Sequence, residues 1–154
     1  MQNASEQTGG LSAQHTLEYS YRRSLGPVLG RVFTGLRDRE IVGVRTDGGR
    51  VLVPPAEYDP ETGRDTTREF VRVGPGGTVE SWCWVSTPRA KHPLDRPFAF
   101  ALIRLDGADT SLLHAVDAGS AASMRKGLRV VPRWADATEG SIRDIACFVP
   151  EGDR

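Results

Sequence analysis

The chain has 154 residues, 38% of them hydrophobic and 7% aromatic, which is enough for one compact domain with its own core. Lys plus Arg and Asp plus Glu both number 20, so no net field draws the protein to nucleic acid or to an anionic membrane surface. Cys83 and Cys147 cannot build a disulfide framework, Met1 to Gly10 lacks the basic start and apolar centre of a signal peptide, and no window reaches the roughly 18 apolar residues of a spanning helix; a reduced, cytoplasmic protein is expected.

Residues 1–15 are polar, include Gly9-Gly10 and show no periodicity. They offer too little apolar surface to offset the entropy of ordering, and a disordered tail is expected. From Thr16 the apolar residues Leu17, Tyr21 and Leu25 recur at helical spacing, and after Gly26-Pro27 so do Val28, Leu29, Val32, Phe33 and Leu36. Two short helices are therefore predicted as a helical arm over 16–40. Pro27 suits the first turn of the second, where its missing N–H would have had no partner. The face carrying Val28, Val32, Phe33 and Leu36 needs cover, either from the rest of the chain or from a partner subunit.

Over 41–66 the pattern changes to two short β-like pieces, Ile41 to Val44 and Val51 to Val53, around Thr46-Asp47-Gly48-Gly49 and followed by Pro54-Pro55. A hairpin this small does not stand alone in water, so something must staple it. Over 67–150 follow Phe70 to Val73, a Gly74-Pro75-Gly76-Gly77 turn, Val79 to Val85, Phe98 to Val116 folded at Asp106-Gly107, Leu128 to Trp134 and Ile142 to Val149. Ala118 to Met124 reads as a helical turn. The arm from Phe98 is nearly all apolar, which predicts a strand buried on both faces. A mainly β fold with a C-terminal five-stranded barrel of the oligonucleotide/oligosaccharide-binding (OB) type fits best, a β-sandwich second; residues 151–154 are a short tail.

Little in the sequence reads as catalytic. His15, His92 and His114 fall in the tail, a loop and a strand, and none has a local Ser, Cys or carboxylate in a nucleophile arrangement. His114 reads as barrel wall and Cys83 as a small apolar strand residue. Ligand binding has more to use. In Pro88 to Pro97, the cations Arg89, Lys91 and Arg96 and the imidazole of His92 lie between prolines, a semi-rigid basic loop suited to phosphate. Trp82 and Trp84 share one strand face with Cys83 opposite; turned outward, they would mark an interface, and with Trp134 they would otherwise be core.

Three stretches carry a family likeness: Gly49-Arg50-Val51-Leu52-Val53-Pro54-Pro55, then Gly77-Thr78-Val79-Glu80-Ser81-Trp82, then Pro97 through Asp106, with Leu36 to Gly43 leading in. In this order and spacing, from about Tyr19 to Val149, the chain resembles the DUF thirty-five family, acyl-CoA-associated proteins with N-terminal helices, a rubredoxin-like zinc ribbon and an OB-fold. The resemblance implies paired ribbon cysteines at positions that here hold Arg45, Gly48, Asp59 and Thr62, so a degenerate ribbon without zinc is expected. It further implies a non-catalytic accessory subunit that binds and stabilises a thiolase-fold acyl-CoA enzyme, such as a lipid-transfer-protein-like thiolase or aldolase of steroid or fatty-acid side-chain degradation. Two copies of each subunit would follow, since a symmetric dimer presents each surface twice. No cofactor is implied beyond a coenzyme A thioester as ligand, near Arg89, Lys91, His92 and Arg96. A stand-alone acyl-CoA or acyl-chain binder is the alternative; single-stranded nucleic-acid binding rests on barrel analogy alone.

Overall fold

The computed structural model describes residues 13–21 and 24–152. Most of the expected tail over 1–15 lies outside them. Residues 13–21 form no regular structure, and Leu17, Tyr19 and Tyr21 are exposed, so the first of the two predicted helices is absent there. Its apolar residues have nothing to pack against, and a helix this short is not stable by itself. One helix forms, α1 (Gly26–Arg37), with proline in its first turn as the sequence requires. Among the described residues, no helix is long and apolar enough to cross a membrane.

After α1 come β1 (Ile41–Arg45) and β2 (Val51–Leu52), the predicted hairpin, in register Val44 with Leu52 and Arg45 with Val51. β3 (Phe70–Val73) pairs antiparallel with the other edge of β1, giving a three-stranded sheet in the order β2-β1-β3. Phe70 to Val73, read from the sequence as part of the barrel region, thus belongs to the ribbon sheet. Gly43 sits where β1 and β2 approach most closely; a Cβ there would lie 2.5 Å from Val51 Cγ1.

The barrel is made of β4 (Gly77–Val85), β5 (Phe98–Leu105), β6 (Ser111–Val116), β7 (Arg129–Trp134) and β8 (Ile145–Pro150), closed in the order β4-β5-β6-β8-β7. This is the predicted five-stranded OB-fold, and closure rules out the sandwich. The small-residue stretch contributes a 3-10 turn at Ala121–Ser123. Inside the barrel Val79, Ala99, Ala101, Ile103, Leu105, Val116, Val130 and Phe148 are buried. β5 is buried on both faces only at Phe98–Ala99; further along, Leu102 and Arg104 turn out to solvent. A barrel strand has one inner face, and the outer one is covered only where a loop folds over it.

The stapling of the ribbon is done by the turn joining β5 and β6. Asp109 Oδ2 accepts from Val51 N at 2.7 Å, and Asp109 N donates to Val51 O at 2.9 Å. Thr110 Oγ1 accepts from Val53 N at 2.7 Å and donates to Val53 O at 2.9 Å. Two side chains thus complete the hydrogen bonding of the β2 edge and fix the ribbon to the barrel.

α1 lies over the junction of the two sheets. Val28 and Leu36 are buried and Val32 and Phe33 pack on the barrel core, so the chain itself covers these four residues, while Leu29 stays exposed. Thr138 Oγ1 donates to Arg37 O at 2.7 Å, and Arg39 Nη2 donates to the carbonyls of Ala135 and Asp136 at 3.2 Å, tying the helix end to the loop before β8. As an interface, Val28 and Leu36 are corrected to core.

Candidate functional site

The outer surface of β4, β5 and β6 gathers the side chains of interest. Antiparallel pairing sets Ser81, Leu102 and Leu113 in one row and Cys83, Phe100 and Ala115 in the next. Directly opposed residues share a face, so both rows point away from the barrel interior. Leu113 is 60% exposed and Leu102 41%, and Cys83 is exposed beside them. At one end Glu80 takes a hydrogen bond from Ser111 and an ion pair from Arg104 at 2.5 Å; these partners hold its carboxyl below the usual range.

The basic loop closes the other end. His92 sets its ring edge-on to Phe98 and Phe100, with centroids 5.8 and 6.1 Å away, and its Nδ1 accepts from Arg89 N at 3.1 Å. Leu94 packs on the same cluster of Phe98, Ala115 and Cys147. His92 is therefore an anchor that holds the loop against the sheet, with one ring nitrogen already engaged. Arg96 Nη2 donates to Asp117 Oδ2 at 2.5 Å, and Arg133 donates to the same oxygen at 3.1 Å. Burial alone would raise the Asp117 pKa, but the two guanidiniums outweigh it and hold the carboxyl low. Of the four residues expected at a phosphate, Arg89 and Lys91 remain exposed and, among the described residues, in no ion pair. Arg133, which no local pattern joins to this loop, lies beside Arg96 on the same Asp117 oxygen.

The tryptophans share a face as expected, and that face is the inner one. Trp82 pairs with Ala101 and Trp84 with Ala99, both inside the barrel. Trp84 packs on the core, so its place at an outward interface is corrected; Trp82 stays 36% exposed at the barrel end, because β4 leaves β7 after Gly77 and Thr78. Alanines at 99 and 101, opposite two tryptophans, are the signal that could have shown the direction. Trp134 also packs on the core.

His114 is buried inside the barrel with its ring edge-on to Phe148 at 5.4 Å. Burial pushes its pKa down, against a smaller upward pull from backbone carbonyls. The unfolded chain then binds more protons below its own imidazole pKa of about 6.5. Stability is full above that pH and declines as pH falls toward the folded pKa. Urea midpoints should therefore fall between about pH 7 and 5 in the native protein, and His114→Leu should flatten that slope. Cys147 is buried too, and burial raises its thiol pKa.

A cleft of about 200 Å³ lies between α1, Pro54-Pro55 and the barrel, lined entirely by apolar residues including Leu29, Val32, Phe33 and Ile142. The ribbon positions do not fit zinc. Asp59 accepts from Glu61 N at 3.0 Å and from Thr62 Oγ1 at 3.1 Å, so one position at which the resemblance implies a cysteine hydrogen-bonds the other. Arg45 donates to Glu69 Oε1 and Gly49 O, and an ion pair between Arg50 and Glu61 crosses from one turn to the other. A cation and a glycine opposite a hydrogen-bonded carboxylate are no tetrahedral thiolate or imidazole set.

Residues 70–135 match the family described as the ChsH2 C-terminal OB-fold domain. Among solved structures, the chain is similar to one of an Ltp2-ChsH2(DUF35) aldolase, with a TM-score of 0.59 and 21% identity, covering 84% of this chain and 98% of that one. It is also similar to a DUF35-family protein of unknown function from Sulfolobus solfataricus, with a TM-score of 0.56 and 22% identity over 70% and 78% of the two chains. No curated protein matches the sequence. The sequence resemblance holds over the barrel, which matches the ChsH2 C-terminal OB-fold family, and the fold of the chain is similar to that of the two DUF35 structures.

Proposed function

We propose that this protein is a non-catalytic accessory subunit of a thiolase-fold acyl-CoA enzyme, a thiolase or aldolase acting on steroid or fatty-acid side chains. The observation that carries the reading is how the groups able to do chemistry are engaged. His114 is neutral and buried against Phe148, His92 anchors a loop, Cys147 is buried with its pKa raised, and Asp117 holds two arginines. These side chains hold the fold, and what faces solvent is an apolar strip with free cations beside it, the composition of a contact surface. The likeness to the ChsH2 chain of a two-component aldolase supports the same reading. Arg89 and Lys91 set positive charge at the border of that surface, and a symmetric partner dimer would take two copies.

The test is to tag the protein in its own host, purify it gently and identify what accompanies it by mass spectrometry. A thiolase-fold enzyme in near-equal amount is the expected result. A lone chain that binds coenzyme A in calorimetric titration would overturn it in favour of a stand-alone acyl-CoA carrier.

A further inference from the structure

In a barrel that is complete by itself, strand positions facing water carry polar side chains, and alternation along β5 and β6 assigns 102 and 113 to that face. Both are leucine, they are cross-strand partners, and both project from regular paired backbone. A single exposed leucine is unremarkable, but two opposed leucines beside exposed Cys83 and half-buried Phe100 form one contiguous apolar patch on a rigid surface. The basic loop folds over Phe98 and Phe100 through His92 and stops there, leaving the leucines bare with Arg89 and Lys91 in the adjoining turn.

We infer that the Leu102–Leu113 face is the surface on which a non-identical subunit docks, one presenting an apolar patch bordered by carboxylates that meet Arg89 and Lys91. This rests on the accessory-subunit reading above. The charges disfavour a second copy of the same chain. A two-fold contact centred on the leucines lays the Arg89 and Lys91 end of one copy either on the same end of the other, where like charges meet, or on its Glu80 and Arg104 end, according to the direction of the axis in the contact plane. At the Glu80 end the carboxylate is already paired with Ser111 and Arg104, and the exposed Arg104 guanidinium adds a positive charge of its own. The α1 cleft, where Leu29 and Ile142 are also exposed, is a weaker choice because its lining carries no charged residue to orient a partner and Val28 and Leu36 are buried in the core.

The variant to make is Leu102→Ser with Leu113→Ser. Both side chains are exposed, so the fold is kept, as checked by circular dichroism and thermal melting. With the thiolase-fold subunit recovered by the native protein and purified, the double variant should bind it at least about tenfold more weakly, as removal of central contact residues does. Arg89→Glu with Lys91→Glu should weaken binding further as salt is lowered, whereas the native complex tightens. Unchanged affinity in the double leucine variant would overturn the inference and leave the accessory role standing. A native protein that recovers no such subunit would overturn both. A native homodimer that the leucine variant converts to monomer would assign the face to a second copy and overturn it as well.

Discussion

Asp109→Ala combined with Thr110→Val should lower stability by about 2–6 kcal/mol. The two side chains take the place of a strand along the β2 edge. Removing them leaves the N–H groups of Val51 and Val53 without acceptors, in residues that are otherwise buried. Each such group costs about 1–3 kcal/mol when left unpaired. Thr110→Val keeps the shape while losing both bonds, and Thr110→Ser keeps the hydroxyl and should stay close to the native midpoint. Hydrogen exchange supplies the second readout: the β1 and β2 amides should lose protection while the barrel amides of β5 and β6 retain theirs. A urea midpoint unchanged in the double variant would mean that the ribbon is held by its own turns and by α1.

That clasp fixes the ribbon to the barrel through two side chains, and it also shows where sequence reading stops. The hairpin itself was legible from Thr46-Asp47-Gly48-Gly49 between two apolar pieces, as were the closed barrel strands and the turn at Asp106-Gly107. The staple was not, because Asp109 and Thr110 meet β2 across 58 and 57 residues, and nothing local in Asp-Thr marks it as anything but a turn. Periodicity misled at Leu17, Tyr21 and Leu25, where helical spacing is present but there is no surface for a helix to bury. In β5 the run of apolar residues suggested burial on both sides. The physical cause of that run is divided: Phe98 lies under a loop, whereas Leu102 faces outward. The basic loop was visible as charge between prolines, but the split between anchored His92 and Arg96 and free Arg89 and Lys91 depends on Phe98, Phe100 and Asp117 lying underneath, which only the fold supplies.

Asp144→Ala should cost about 2–3 kcal/mol at neutral pH, and its cost should shrink in acid. The Asp144 carboxylate is buried and accepts three backbone hydrogen bonds, from Glu139 N at 3.1 Å, Gly140 N at 2.8 Å and Ser141 N at 3.1 Å. Burial pulls its pKa up, but the three N–H groups outweigh that and leave it below the ordinary value. The turn they shape sits under α1, with Thr138 bonded to Arg37 O and Ile142 and Ile145 lining the cleft against the helix. Losing the carboxylate therefore loosens both the turn and the seat of the helix. As pH falls, the unfolded chain takes up a proton on this residue near its ordinary pKa of about 3.9, before the folded chain does. The stabilisation is thus complete above that pH and lost progressively as pH drops toward the folded pKa. Denaturation of the native protein and Asp144→Ala in parallel should show their free energies converging below about pH 4, with Asp144→Asn between them at neutral pH because an amide offers one acceptor oxygen in place of two. Parallel curves down to pH 2 would place the acid sensitivity on Asp106 and Asp117, whose arginine partners also hold their pKa values low.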